Sequence, residues 1–235
     1  MTKKSDSELH RIRDTYDGYK HSQEKQRNWS DQSPANAAMV KERDRQVRRV
    51  LTQSGVGELS TKRILDVGCG FGNNLANLIP VGAVPEMMAG VDLLDDRIEV
   101  AKERHPDIRF QVANAEYLPF ENGSYDIVML FTVFTSILDS EMKQKIASEV
   151  NRVLAKNGAL LWYDFRFDNP KNKNVRGIGL KELFALFPDY IGSVQTLTVI
   201  PPLARVFGSA ISVVYPLLAA FPFLRSHYLA LLRKP

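Results

Sequence analysis

The pattern of apolar and polar positions along the 235-residue chain changes texture near Arg63. Before that point polar and charged residues dominate, and sparse apolar ones recur at helical intervals in two stretches. The second of these, Asn36 to Leu51, puts Met39, Val40, Val47, Val50 and Leu51 near one face, with Ser33 and Pro34 as a start signal. Between the stretches lies a segment too polar to be a core element. Tyr16, Tyr19 and Trp29 in this region either cover the edge of the main domain or close over a ligand.

From Arg63 onward, short apolar runs alternate with helical patterns. Arg63–Val67, Met87–Asp92, Ile108–Ala113, Tyr125–Phe131 and Ala159–Phe165 read as strands. Asn73–Ile79, Asp95–Arg104 with Asp95 as its cap, and Ser140–Leu154 read as helices, the last ended by Asn157-Gly158. After Asp168 come a helix at Leu180–Leu186 and strands at Ser193–Ile200 and His227–Leu232. Strands alternating with helices predict right-handed crossovers and an α/β fold: a doubly wound, mainly parallel sheet covered on both faces. Two regions follow, a helical lid over residues 1–60 and a main domain over 61–235, with an apolar insertion at 201–225 before the last strand. Val206–Leu224 has nineteen residues and no charge, but Pro216 and Pro222 interrupt it, so it reads as a buried or lid-forming element with at most peripheral membrane contact.

Composition narrows the function classes. With 44% hydrophobic and 25% charged residues the chain belongs with globular proteins. Of its 31 Lys and Arg, 14 precede Ile64 against 9 of its 27 Asp and Glu, so the excess of +4 belongs to the N-terminal segment and reads as a solvated arm. No basic run interleaved with aromatics marks a nucleic-acid surface. Cys69 is the single cysteine, and His10, His21, His105 and His227 are too scattered for a zinc cluster. The opening MTKKSDSELHRIRD lacks the apolar core of a secretory leader, which fits a cytoplasmic, metal-free protein.

The most informative stretch is Ile64-Leu65-Asp66-Val67-Gly68-Cys69-Gly70-Phe71-Gly72, a strand running into D-x-G-x-G-x-G and then a helix. Alternate glycines let the backbone turn sharply and approach a nucleotide-like ligand, and the spacing differs from the dinucleotide fingerprint G-x-G-x-x-G. The loop resembles motif I of the class I S-adenosylmethionine-dependent methyltransferases, of the small-molecule, type 11-like kind. The resemblance continues through Asp92 at the end of the second strand, Asn114-Ala115 with Leu118-Pro119-Phe120, Ser124-Tyr125-Asp126-Ile127-Val128, and Arg152 to Leu160. Asn114 stands where the family more often has Asp, and Asn157 where it has Pro.

This resemblance implies a Rossmann-like seven-stranded sheet with an antiparallel last strand. The implied cofactor is S-adenosylmethionine, leaving as S-adenosylhomocysteine, with no metal. It implies that Asp66 and the loop of Gly68, Cys69, Gly70, Gly72 and Asn73 hold the methionine end. Asp92 then takes the ribose, Leu93 one adenine face, and Asn114, Ala115 and Glu116 the adenine edge. The main chain at Leu130 and Phe131 meets the cofactor's ammonium, and Tyr16 and Tyr19 line the methyl channel. Asp126 reads as a structural carboxylate, and Cys69 as a small residue in a crowded turn rather than a nucleophile. For a hydroxyl acceptor the candidate bases are Asp164 and His227. Thr135 stands where many relatives carry a histidine, so the surrounding Phe131, Val133 and Phe134 make that pocket apolar. The expected acceptor is a small molecule, a sugar or a lipid-linked or apolar metabolite, taken by a monomer or homodimer. A catalytically silent cofactor-binding module and a nucleic-acid methyltransferase are the rival readings.

Overall fold

The structure is a computed structural model that describes residues 3–30 and 32–235. Its sheet is built from β1 (Ile64–Val67), β2 (Met88–Asp92), β3 (Arg109–Val112), β4 (Tyr125–Phe131), β5 (Leu154–Phe165), β6 (Ile191–Val199) and β7 (Arg225–Arg233). The strand order is β3-β2-β1-β4-β5-β7-β6; β7 runs antiparallel to β5 and β6, and the other pairs are parallel. The doubly wound sheet with its antiparallel last strand is thus as the sequence predicts. Every residue of β1 and of β2 is buried, the continuous apolar pattern of strands covered on both faces. Chain order reverses between β1 and β4, where an open α/β sheet leaves a crevice at the carboxyl ends of its strands.

The helices are α1 (Lys3–His21), α2 (Gln23–Trp29), α3 (Pro34–Gln53), α4 (Asn73–Ala76), α5 (Asp95–Arg104), α6 (Ser140–Val153), α7 (Leu180–Leu186), α8 (Pro201–Val206) and α9 (Ile211–Ala219). One apolar layer joins Leu65, Val128 and Trp162 to α6 through Met142, Ile146 and Val150; the other joins Ile127, Met129 and Leu161 to α3 and α5 through Val47, Leu51 and Ile98. Ser33 caps α3 with its side chain, accepting from the Asn36 N–H, and Pro34 occupies the first turn, so the predicted start signal is used as such.

Three local expectations change. Asp95 is not the cap of α5: Leu94 holds that position, and Asp95 and Asp96 lie in the first turn, where carboxylates face the positive helix end. The helix after the glycine loop stops at Ala76 rather than Ile79, and a tight turn at Ile79–Val81 follows. Asn157-Gly158 does not end α6; it lies inside β5, with Asn157 at φ 60°, where the pairing with β4 jumps from Tyr125–Leu154 to Ile127–Ala159.

The apolar insertion becomes a cap of α8, α9 and the turn Pro222–Leu224. Ala204, Ile211 and Tyr215 pack on Ala35 and Met39 of α3. Among the described residues no helix is long and apolar enough to cross a membrane.

Candidate functional site

β1 delivers the chain into a loop whose shape is set by its main chain. The Gly68 and Cys69 N–H groups donate to the Val91 carbonyl at 2.8 and 2.9 Å. Gly68 and Gly72 have φ of 78° and 80°, and a Cβ there would lie 2.7 Å from Val133 Cγ2 or 2.6 Å from Phe110 Cζ. Only glycine satisfies both the dihedral and the space. Asp92, at the end of β2, fixes the other side: its Oδ2 accepts from the Gly70 N–H at 2.8 Å and its Oδ1 from the Leu94 N–H at 3.0 Å. Each oxygen keeps accepting capacity toward the crevice.

The crevice holds a cavity of about 120 Å³, below the roughly 300–1,000 Å³ of ordinary small-molecule sites. Of the sequence-predicted residues it brings together Tyr16, Gly68, Asp92, Leu93, Asn114, Ala115 and Phe131. Its roof is α1, which contributes Leu9, Ile12 and Tyr16. The roof is clasped by polar contacts: Glu8 Oε1 accepts from the Leu138 N–H at 2.6 Å, Arg11 donates to the Ser136 carbonyl at 2.7 Å, and the Tyr16 hydroxyl meets Ser136 Oγ at 2.8 Å. Burial alone would raise the Glu8 carboxyl, but the hydrogen bonds from Arg11 and the Leu138 main chain hold it below its ordinary value.

Asp66 stands behind the loop, fully buried. Its Oδ2 accepts from Asn74 Nδ2 at 3.3 Å, while Oδ1 has no hydrogen-bond partner among the described residues. Burial, with the nearby Asp92 charge adding to it, pushes the Asp66 carboxyl up to about 7. An unpartnered buried carboxylate oxygen calls for a cation or a donor.

The other predicted residues lie off the cavity wall. Leu130 is in the core between β1 and β5. Cys69 is buried with its thiol pushed well up by burial, which agrees with a packing role. Asn73 Oδ1 meets His105 Nε2 at 3.3 Å, and the Tyr19 hydroxyl accepts from Asn172. Glu116 is buried beneath α1, accepting from Ser5, Asn114 and Lys145; those bonds outweigh burial and hold it below its ordinary value. Asn114 in turn accepts from the Glu116 N–H, so the two form a fixed turn facing the cavity through Asn114.

Neither candidate base lines the cavity. Asp164 is fully buried, with Oδ2 accepting from the Thr135 N–H at 3.1 Å and Oδ1 from the Phe165 N–H at 3.0 Å; burial lifts it to about 7. It holds the turn that carries Ser136. His227 is stacked flat on Tyr163, with centroids 4.6 Å apart, and shares a hydrogen bond with Ser226 Oγ. Burial, helped by Arg43, lowers it to about 3. Val133, expected in an apolar pocket wall, lines the cavity, and cavity residues that the sequence does not single out include Arg97 and Ser136. Arg97 lies 4.3 Å over the Tyr16 ring, joining α5 to the roof. A basic residue in a polar helix gives no signal of that kind.

The residues present fit S-adenosylmethionine: Asp92 offers acceptors for ribose hydroxyls, the orphaned Asp66 oxygen a partner for an ammonium, and the glycine loop a close main-chain approach. No three His, Cys, Asp or Glu side chains converge as a metal site among the described residues.

Comparison with known proteins bears on the family and the fold. Residues 64–158 match the family described as "Methyltransferase domain". The phthiotriol/phenolphthiotriol dimycocerosates methyltransferase 1 of Mycobacterium ulcerans (strain Agy99) is 38% identical over 114 residues, covering 48% of this chain and 41% of that protein. The ubiquinone/menaquinone biosynthesis C-methyltransferase UbiE of Campylobacter jejuni (strain RM1221) is 31% identical over 107 residues, 44% of each chain. The chain therefore spans less than half the length of these relatives. In fold, the solved S-adenosylmethionine dependent methyltransferase from Mesorhizobium loti superposes with a TM-score of 0.60 at 16% identity, covering 80% of this chain and 96% of that one. Glycine loop, strand order and sequence matches agree: residues 64–158 are similar to the methyltransferase domain family, and the fold is that of the solved S-adenosylmethionine-dependent methyltransferases.

Proposed function

We propose that the protein transfers the methyl group of S-adenosylmethionine to a hydroxyl of a small-molecule acceptor with an apolar part, a lipid-linked sugar or an apolar metabolite. The observation that carries this reading is the cavity that sets Asp92 beside an apolar wall of Phe131, Val133 and Ile137, with the orphaned Asp66 oxygen buried behind the loop. Relatives named for a dimycocerosate and for ubiquinone and menaquinone support an acceptor of that character.

When bound, the cofactor supplies a sulfonium methyl that is open to in-line displacement. The chain's own work is then to hold donor and acceptor in line and to keep water out. We assign Asp92 to the ribose, Asp66 and the main chain of Gly68–Gly72 and Leu130–Phe131 to the amino-acid end, Leu93 to one adenine face, and Asn114 with Ala115 to the adenine edge. Glu116 fixes the Asn114 turn, Asn73 and Cys69 shape the loop, and Tyr16, backed by Tyr19, closes the methyl side. Asp164 positions the Thr135–Ser136 turn. His227, lowered to about 3, is neutral at physiological pH and a weak base.

Incubation with methyl-labelled cofactor and a panel of hydroxylated lipids, lipid-linked sugars and quinols tests the reading. Label is expected in an apolar acceptor. Cofactor binding without turnover over the whole panel would favour a silent module, and transfer confined to RNA or protein would overturn the acceptor class.

A further inference from the structure

The cap is apolar on both of its faces. Its inner face is spent on α3 through Ile211 and Tyr215. Its outer face presents Val206, Val213, Leu217, Phe221 and Phe223, between 50% and 79% exposed. Val213 and Leu217 stand one turn apart on α9, and the Phe221 and Phe223 rings are in contact at 5.6 Å. Single exposed apolar side chains are ordinary, but five within eighteen residues of a chain segment without any charge form a patch that a cover over an active site does not need.

The rim of the patch is cationic. Arg205, immediately before Val206, is half-buried: its guanidinium lies 5.0 Å over the half-exposed Trp29 ring, and its Nε and Nη2 are buried with no hydrogen-bond partner among the described residues. Glu24 acts on it only through its field. On α3, the helix beneath the cap, Lys41, Arg45 and Arg49 are exposed, whereas Glu42 and Asp44 are bonded inward to Thr198, Tyr215 and Asn77. An apolar plateau bordered by an aromatic ring, a half-buried guanidinium in no ion pair among the described residues and the exposed cations of α3 matches the boundary between acyl chains and phosphate head groups.

We infer that the outer face of residues 206–223 docks on an anionic phospholipid bilayer, with Val213, Leu217, Phe221 and Phe223 in the interfacial layer and Arg205 and the α3 cations at the level of the phosphates. Docking by this face is independent of the methyl-transfer reading. It also places the acceptor side of the sheet next to a source of apolar acceptors, because Tyr215 on the cap's inner face is bonded through Glu42 to Thr198 and thence to Tyr163, which packs on the cavity residue Phe131.

Flotation of the full chain with phosphatidylcholine vesicles, with and without phosphatidylglycerol, tests the inference. Binding is expected to vesicles containing phosphatidylglycerol and to weaken with salt. The double variant Leu217→Asp, Phe223→Asp should lower the bound fraction about tenfold or more, while its calorimetric affinity for S-adenosylmethionine stays that of the parent. No flotation of the parent, or equal flotation of the double variant with its fold intact, overturns the inference. A parent that does not float but sediments as a dimer, which the double variant dissociates, also overturns it and makes the face a contact between two copies.

Discussion

The two sides of the sheet solve the burial of polar groups by opposite means. At β1 and β2 the loop is held by main-chain N–H groups on Val91 and Asp92, and the participants lie within about one turn-helix-strand unit of each other. At β6 and β7 the work is done by side chains from distant parts of the chain. Glu42 Oε2 accepts from the Tyr215 hydroxyl at 2.6 Å and the Thr198 N–H at 2.9 Å, across 173 and 156 residues of sequence. Thr198 has a φ of 65°, a non-glycine residue in the left-handed region. It drops out of the β6 ladder, where Leu197 faces His227 and Val199 faces Arg225, and its N–H turns to α3 instead. A backbone-built site is intolerant of any added atom, whereas a side-chain-built one fails when its shared acceptor is removed.

Breaking the second arrangement should have the largest effect. Glu42→Ala leaves a buried N–H and a buried hydroxyl without an acceptor and should destabilise the fold by about 3 kcal/mol in denaturant unfolding, with Glu42→Gln costing clearly less. A loss below 1 kcal/mol would show that the network is not structural. In the backbone-built loop, Gly68→Ala combines an unfavourable φ with a clash on Val133 and should cost about 2 kcal/mol together with a tenfold or greater loss of cofactor affinity; unchanged calorimetric binding would break the comparison.

The next effect sharpens the role of Asp66. Its carboxyl is raised in the fold, so the folded state binds the proton more tightly than the unfolded one. Its contribution to stability is fully present below pH 4 and is lost as pH rises toward 7. Relative to the parent, Asp66→Asn should therefore gain stability across that window, by at most roughly 1.4 kcal/mol per pH unit. Cofactor affinity of the parent should rise between pH 6 and 8 as Asp66 ionises to meet an ammonium, and the Asn variant should show a flat profile. His227 acts in the opposite sense, its lowered value removing stability as pH falls from 6.5 toward 3. Smallest of all, Asp126→Ala breaks a partly exposed pair with Arg63 and should cost less than about 1 kcal/mol, leaving cofactor binding untouched.

The same contrast explains what was legible in the sequence. The glycine loop, Asp92 and the first five strands are local patterns, and each appears in the structure within a few residues of its predicted place. The Glu42 network left no trace, because a glutamate in a charged helix reads as a solvated face until the cap and β6 meet it. The roof was half legible. Tyr16 was singled out and lines the cavity, but Leu9 and Ile12 beside it look like ordinary helix residues. Asp164 and His227 stood at the right end of the right strands, yet their distance from the cavity depends on side-chain direction, which strand periodicity alone does not resolve.

The clasp of α1 has a kinetic meaning. The cavity beneath the helix, about 120 Å³, is smaller than ordinary small-molecule sites while Glu8 and Arg11 are bonded to the chain from Ser136 to Leu138. On the proposed function, entry of the methyl donor and departure of its spent form would each call for those bonds to open. On that same reading, the residence time of the helix on the sheet, set by contacts such as those of Glu8, Arg11 and Tyr16 rather than by the chemistry of transfer, would limit turnover.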